Sequence, residues 1–244
     1  MESLWPEELE QGLIPTDDNM GIMTRELGPA AREFVALSKS ATRPLLDIGA
    51  AYGNATLPAL KNGATVVAVD LSPTELAILQ QSAGAEEQKR LVVMPARFPE
   101  ELSLLDASVA GVLGGQVLHF LDGPRLEEAL GRIYRWLIPG GQLFAITITP
   151  SLSYYRKYWD EFHARKARGD RWPGVLNPKE VASPEWRDRL PDMIHLFDKD
   201  ILGRAVREAG FEIESLEYFC FENFPDKHRT DGREFLSLTA MKPR

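Results

Sequence analysis

Between Leu45 and Thr149 the sequence alternates short, continuously apolar runs with amphipathic stretches, and this alternation constrains the fold more than any other feature. The runs Pro44–Ile48, Val66–Asp70, Leu91–Met94, Ser108–Leu113 and Gln142–Thr149 are apolar at successive positions. A strand reads this way when its sheet is covered on both faces. Between them, Asn54–Asn62, Pro73–Ala83 and Pro124–Trp136 have the length and apolar spacing of helices, and Arg97-Phe98-Pro99 breaks the pattern. Buried strands separated by amphipathic helices predict an α/β fold of Rossmann-like type. Downstream, a helix over Asp198–Ala209 stops at Gly210, where a left-handed cap is needed, and the strands Phe211–Phe219 and Phe235–Met241 follow. The expectation is a seven-stranded mostly parallel sheet with helices on both faces, one antiparallel strand at the end and a helical insertion after strand five.

At 244 residues the chain fits one domain, 1–244. Residues 1–40 read as an acidic, proline-interrupted lead-in passing into a helix over Thr24–Leu37. Residues 150–196, rich in aromatics, basic residues and prolines, cannot belong to the repeating layer and are expected to cover the substrate. The net charge of -8 argues against a nucleic-acid partner, because phosphate backbones are bound by many Lys and Arg side chains. A single cysteine, Cys220, rules out an internal disulfide or a cysteine-rich zinc site and reads as a buried thiol in a strand. The acidic beginning and the lack of an apolar run approaching ~20 residues predict a cytoplasmic protein without a transmembrane segment.

The segment Leu46-Asp47-Ile48-Gly49-Ala50-Ala51-Tyr52-Gly53-Asn54-Ala55-Thr56 places an acid at a strand end, a turn of small residues after it and a helix start beyond. In an open parallel sheet such a turn borders the crevice at the carboxyl edge, and Gly49 and Gly53 let backbone approach a ligand. Asp70 ends the next strand, 23 residues beyond Asp47, where doubly wound folds hold ribose hydroxyls. The dinucleotide fingerprint G-x-G-x-x-G is absent. An acid directly before the turn repels pyrophosphate and suits a cationic ligand.

Asp47-Ile48-Gly49-Ala50-Ala51-Tyr52-Gly53 resembles the first motif of class I S-adenosylmethionine-dependent methyltransferases, with alanine at the middle glycine. Val67–Ser72 resembles their second-strand acid motif, Gln116–Leu121 the segment after strand four, and Leu137–Leu143 the turn before strand five. Ala205-x-x-Glu208-Ala209-Gly210-Phe211 resembles the lead into strand six. The resemblance covers about residues 20–150 and 197–242 and omits the insertion. It implies S-adenosyl-L-methionine as cofactor and S-adenosyl-L-homocysteine as product. Asp47 and the backbone of Gly49, Ala51 and Gly53 would face the methionine part. Asp70 would take the ribose hydroxyls with Leu71 against adenine, Ala96 and Arg97 would lie at the adenine edge, and Gly115 and Gln116 would line the substrate side. Ala51 departs from the family pattern and puts a methyl group near the ligand. The expected function is methylation of a small organic molecule at oxygen, nitrogen or carbon. Alternatives are a protein methyltransferase, a binding module without turnover, and a nicotinamide oxidoreductase, which the motif disfavours.

Methyl transfer needs few catalytic groups, since the electrophile arrives activated and the protein's task is placement and exclusion of water. His119, near the active edge, is the candidate base, and Tyr154 and Tyr155 are candidates for orienting a substrate. His163, His195 and His228 are weaker ones. Tyr154–Arg168 has helical spacing with Tyr155, Trp159 and Phe162 on one side, as a lid would. From Arg156 to Arg171 it carries six basic and three acidic residues, which could attract an acidic substrate or an acidic protein, or form only a solvated face. No metal site is expected.

Overall fold

The computed structural model describes residues 6–8, 12–17, 21–180, 187 and 190–244. Parts of the acidic lead-in (1–5, 9–11 and 18–20) and of the insertion (181–186, 188 and 189, with Pro184) lie outside the described residues. The chain opens with an antiparallel pair, β1 (Leu13–Pro15) and β2 (Ile22–Thr24), before helix α1 (Pro29–Leu37). The predicted helix over Thr24–Leu37 is therefore shorter at its start. Thr24 pairs with Leu13, and α1 begins where Pro29 supplies a first residue with a preset φ and no N–H to satisfy. The lead-in is a hairpin followed by a helix rather than simply helical.

The alternation then appears as expected: β3 (Leu45–Ile48), α2 (Thr56–Lys61), β4 (Val66–Asp70), α3 (Pro73–Ser82), the short α4 (Ala85–Gln88), β5 (Leu91–Pro95), β6 (Val109–Gly115), α5 (Gly123–Trp136) and β7 (Leu137–Ile148). Side-chain caps start two of these helices, Ser72 accepting from the Glu75 N–H of α3 and Asp122 from the Arg125 N–H of α5. β7 begins five residues earlier than the apolar run suggested. Leu137 already pairs with Val109, and the register slips before Gln142 pairs with Gly111, a shift absorbed at Gly140 with φ 79°.

The insertion holds a 3₁₀ turn over Ser153–Tyr158, helix α6 (Trp159–Ala167) and a small antiparallel pair, β8 (Val175–Leu176) with β9 (Ile194–His195). Its apolar side is Tyr155, Tyr158 and Phe162, whereas Trp159 is half-buried and stacks on His163. A 3₁₀ turn brings residues three apart into line, so Tyr158 takes the place that helical spacing gave to Trp159. Helix α7 (Lys199–Glu208), capped by Asp198 and followed by Gly210 at φ 97°, leads to β10 (Glu212–Phe219) and β11 (Phe235–Met241). Cys220 lies just past β10 and is half-buried, with burial pushing its thiol up to about 12.

Seven strands form one sheet in the order β10-β11-β7-β6-β3-β4-β5. Five neighbouring strands are parallel, and β11 runs antiparallel to both β7 and β10. The antiparallel strand, last in the chain, is wedged between β7 and β10 instead of forming the sheet's edge. Helices α1, α2 and α3 pack on one face, α5 and α7 on the other. Strand order reverses between β3 and β6, so the crevice of an open α/β sheet falls at the carboxyl ends of these two strands. No described helix is long and apolar enough to cross a membrane.

Candidate active site

A cavity of about 760 Å³ opens at that crevice, in the upper part of the range usual for small-molecule sites. Its floor is the turn after β3. Gly49 and Ala51 line it, and both have left-handed backbone, φ 71° and 45°. This turn aims the Ala51 N–H at Oδ2 of Asp70, 2.8 Å away, while the Ser72 N–H donates to Oδ1 at 3.0 Å. The carboxylate that ends β4 is thus fixed by backbone donors, with Leu71, Ala96 and Arg97 beside it on the lining. Gly115 and Gln116 line the cavity from the end of β6, and Gln116 has φ 62°.

Asp47 and Gly53, expected to face a ligand, stand behind the lining instead. The Asp47 carboxylate is buried and accepts the Thr56 hydroxyl at 2.7 Å. Burial is the main cause that raises its acid to about 7, with the Asp70 charge adding to the shift and the Thr56 hydrogen bond opposing it. Gly53 is needed for packing: at φ 87°, a Cβ there would lie 2.1 Å from Leu79 Cδ1. Gly49 likewise has no room for a side chain, its Cβ falling 2.2 Å from Val117 Cγ2.

Of the four histidines, only His119 lines this cavity. It sits in the 3₁₀ turn Leu118–Phe120 that follows β6. Burial, with His195 close by, pushes its imidazole down to about 3, so the ring is neutral at pH 7. His195 lies wholly buried behind it, with Nδ1 3.0 Å from the Leu121 carbonyl and the ring against Phe197. His163 borders a separate cleft with Trp159, and His228 stacks on Tyr154 at 4.3 Å. Tyr154 and Tyr155 both line the main cavity, and burial raises the Tyr155 phenol well above its ordinary range.

Sequence reasoning missed two walls. One is the β1–β2 hairpin, whose Leu13, Pro15, Ile22, Met23 and Thr24 cover the floor turn. It is pinned by Tyr52 Oη donating to the Pro15 carbonyl, by Asn54 Nδ2 donating to the Thr24 carbonyl at 2.9 Å, and by the Asp17 N–H donating to Oε1 of Glu75 at 2.6 Å. Glu75 is buried and lines the cavity. Its sequence signal, Ser72-Pro73-Thr74-Glu75, is that of a helix capping box and carries no hint of a pocket. The other wall is Phe224 with Phe235, from the far end of the chain. Among the described residues no cluster of metal-ligating side chains occurs.

The six basic residues of Arg156–Arg171 divide into two groups. Arg165 pairs with Asp170, Lys166 with Asp198 and Asp200, Arg168 with Glu161 and Asp170, and Arg171 with Glu127 and Glu208. Arg156 and Lys157 have no such partner among the described residues, and Lys157 lines the cavity.

Sheet order, floor turn and strand-end acid together make a Rossmann-like core, and comparison with known proteins finds the same core in methyltransferases. Residues 46–145 match the sequence profile described as a methyltransferase domain. An uncharacterised methyltransferase of Mycobacterium bovis is 37% identical over 107 residues, 44% of this chain and 40% of its own length. A solved S-adenosylmethionine-dependent methyltransferase from Methanosarcina mazei superposes with TM-score 0.66 over 89% of this chain and 99% of its own, at 19% identity. A Burkholderia thailandensis 1,6-didemethyltoxoflavin-N1-methyltransferase, solved with 1,6-didemethyltoxoflavin and S-adenosylhomocysteine, superposes with TM-score 0.57 over 88% of this chain and 79% of its own, at 21% identity. Residues 46–145 thus resemble a methyltransferase domain, and the chain has the fold of solved S-adenosylmethionine-dependent methyltransferases. It spans less than half the length of the curated relatives it matches.

Proposed function

We propose that the protein transfers a methyl group from S-adenosyl-L-methionine to oxygen, nitrogen or carbon of a small organic molecule, leaving S-adenosyl-L-homocysteine. The observation that carries this reading is the two-ended cavity, which joins a polar floor at Gly49, Ala51 and Asp70 to an apolar end closed by the insertion. The residues fit the cofactor. Asp70 is held by two backbone N–H groups at the end of β4, a carboxylate of the kind that takes a ribose diol, and Leu71, 37% exposed, offers an apolar face to a base. An acid under the turn in place of a phosphate-binding nest suits a ligand with positive charge.

When bound, this cofactor supplies a methyl group already activated on a sulfonium, so that an acceptor lone pair displaces the thioether in line. The chain's own residues position and enclose. Gly115 and Gln116 separate the two ends of the cavity; Tyr154 and Tyr155 close the acceptor end, and burial keeps the Tyr155 phenol protonated. His119, neutral and on the cavity lining, can hydrogen-bond the acceptor, but with its imidazole pushed down to about 3 it positions the acceptor and is too weak a base to take its proton, which passes to solvent. The small-molecule reading is favoured over a protein substrate because four of the six cations over Arg156–Arg171 are held by the chain's own carboxylates, which leaves less basic surface there for an acidic protein. The Burkholderia relative, solved with a small heterocycle, agrees with that preference.

Calorimetric titration with S-adenosylmethionine and S-adenosylhomocysteine tests the reading. Binding of either in the wild type is expected, weakened at least about tenfold by Asp70→Ala through the loss of charged hydrogen bonds. No binding of either would overturn it and favour a module without turnover.

A further inference from the structure

The cavity is electrically lopsided. Its carboxylates, Asp70 and Glu75, are at the floor end, each accepting backbone N–H groups from Ala51, Ser72 or Asp17. The opposite end is apolar on most sides, with Ile148, Leu152, Leu190, Ile194, Phe224 and Phe235 on its walls. Its polar groups are the His119 imidazole and the hydroxyls of Ser153, Tyr154 and Tyr155, none of them charged at neutral pH. The formal charge here that has no carboxylate partner among the described residues is the Lys157 ammonium, carried on the 3₁₀ turn that roofs it. The cations later in the same segment are each satisfied by a carboxylate, but Lys157 has no ion pair or hydrogen bond among the described residues. Of the other two cations on the lining, Arg97 follows the end of β5, and Arg125, beside the Phe120 carbonyl, is neutralised by Glu100 at 2.6 Å.

Such an end accepts an apolar body readily and penalises a cationic one, since a charge brought out of water needs a partner of opposite sign. Lysine's long stem lets its ammonium follow an anionic group at the cavity mouth while the methylenes cover apolar surface. We propose that the methyl acceptor is an apolar organic acid, its ring or chain body against Phe224 and Phe235 and its carboxylate against Lys157. This rests on the methyl-transfer reading above for the acceptor's role, while the charge preference of the cavity stands on its own geometry.

Three probes of equal shape and different charge, naphthoate, naphthamide and naphthylmethylammonium, titrated calorimetrically into protein loaded with S-adenosylhomocysteine, test it. Naphthoate is expected to bind at least about threefold tighter than the amide, and the ammonium more weakly than both. Lys157→Met should abolish the preference for the acid over the amide, Lys157→Arg should keep it, and Lys157→Glu should invert the order. Equal affinities in the wild type, a preference that survives Lys157→Met, or no binding of any probe would each overturn the proposal. Failure of S-adenosylhomocysteine to bind would fall on the cofactor reading alone, and the same probes in the cofactor-free protein would then decide the charge preference.

Discussion

The two ends of the cavity are built by different means. At the floor, backbone does the work: a left-handed turn, two N–H groups on one carboxylate, and glycines without room for a Cβ, all set at the ends of buried parallel strands. At the acceptor end, side chains from three distant segments meet: the turn after β6, the insertion, and the stretch that holds Phe224 and Phe235. The floor is local and rigid, and the roof is an assembly of short elements joined by packing.

The sharpest way to separate the two ends is pH, because Asp47 at one and His119 at the other are buried with shifts of opposite sign. At the floor, folding favours protonated Asp47, so its contribution to stability is complete below about pH 3.8 and is lost as pH rises through about 7. At the acceptor end, folding favours neutral His119, so its contribution is complete above about pH 6.5 and is lost as pH falls through about 3. Relative to wild type, Asp47→Asn should gain stability as pH rises across that window, and His119→Gln should gain as pH falls. Each effect is about 4 kcal/mol in urea unfolding measured from pH 4 to 7. Changes of the same sign in both variants would break the comparison.

A smaller effect distinguishes a packed glycine from an open one. Gly53→Ala is expected to cost about 3 kcal/mol in urea unfolding, from φ 87° together with the clash at Leu79. Gly169→Ala, after α6 in the insertion, has a similar φ of 83° with nothing within 4 Å and should cost only about 1 kcal/mol. Equal costs would mean that the floor tolerates a side chain as easily as the roof.

The smallest expected effect is at the position that departs from the family pattern. Ala51 holds φ 45°, so Ala51→Gly should raise the unfolding free energy by up to about 1 kcal/mol, relief of the left-handed strain being partly offset by glycine's greater freedom in the unfolded chain. A loss of stability would show that the Ala51 methyl is packed usefully, a role that its 8% exposure leaves room for.

Much of the floor was legible in the sequence because its causes are local. Unbroken apolar runs gave the buried strands, and the acid, small-residue turn and second acid at Asp47, Gly49, Ala51 and Asp70 fixed where the crevice lies. Yet the roles within the motif were divided only by packing. Asp47 turns to Thr56 and Gly53 to Leu79, away from the lining, because β3 and the start of α2 need those contacts. The phase of the roof was read wrongly at Trp159, since a 3₁₀ turn and an α-helix share the same apolar residues and differ in period.

What the sequence alone determined is the doubly wound core, with its strand positions and its ligand-binding turn, because hydrophobic period and backbone freedom act within a few residues of where they are written. The tertiary structure alone decided that the β1–β2 pair covers the floor, that Glu75 reaches Asp17 across 58 positions, and that Lys157 lines the cavity without a partner among the described residues while Arg165, Lys166, Arg168 and Arg171 are paired. The physical reason is that a charge or a wall is defined by what lies within a few ångströms of it, and for this roof those neighbours come from opposite ends of the chain.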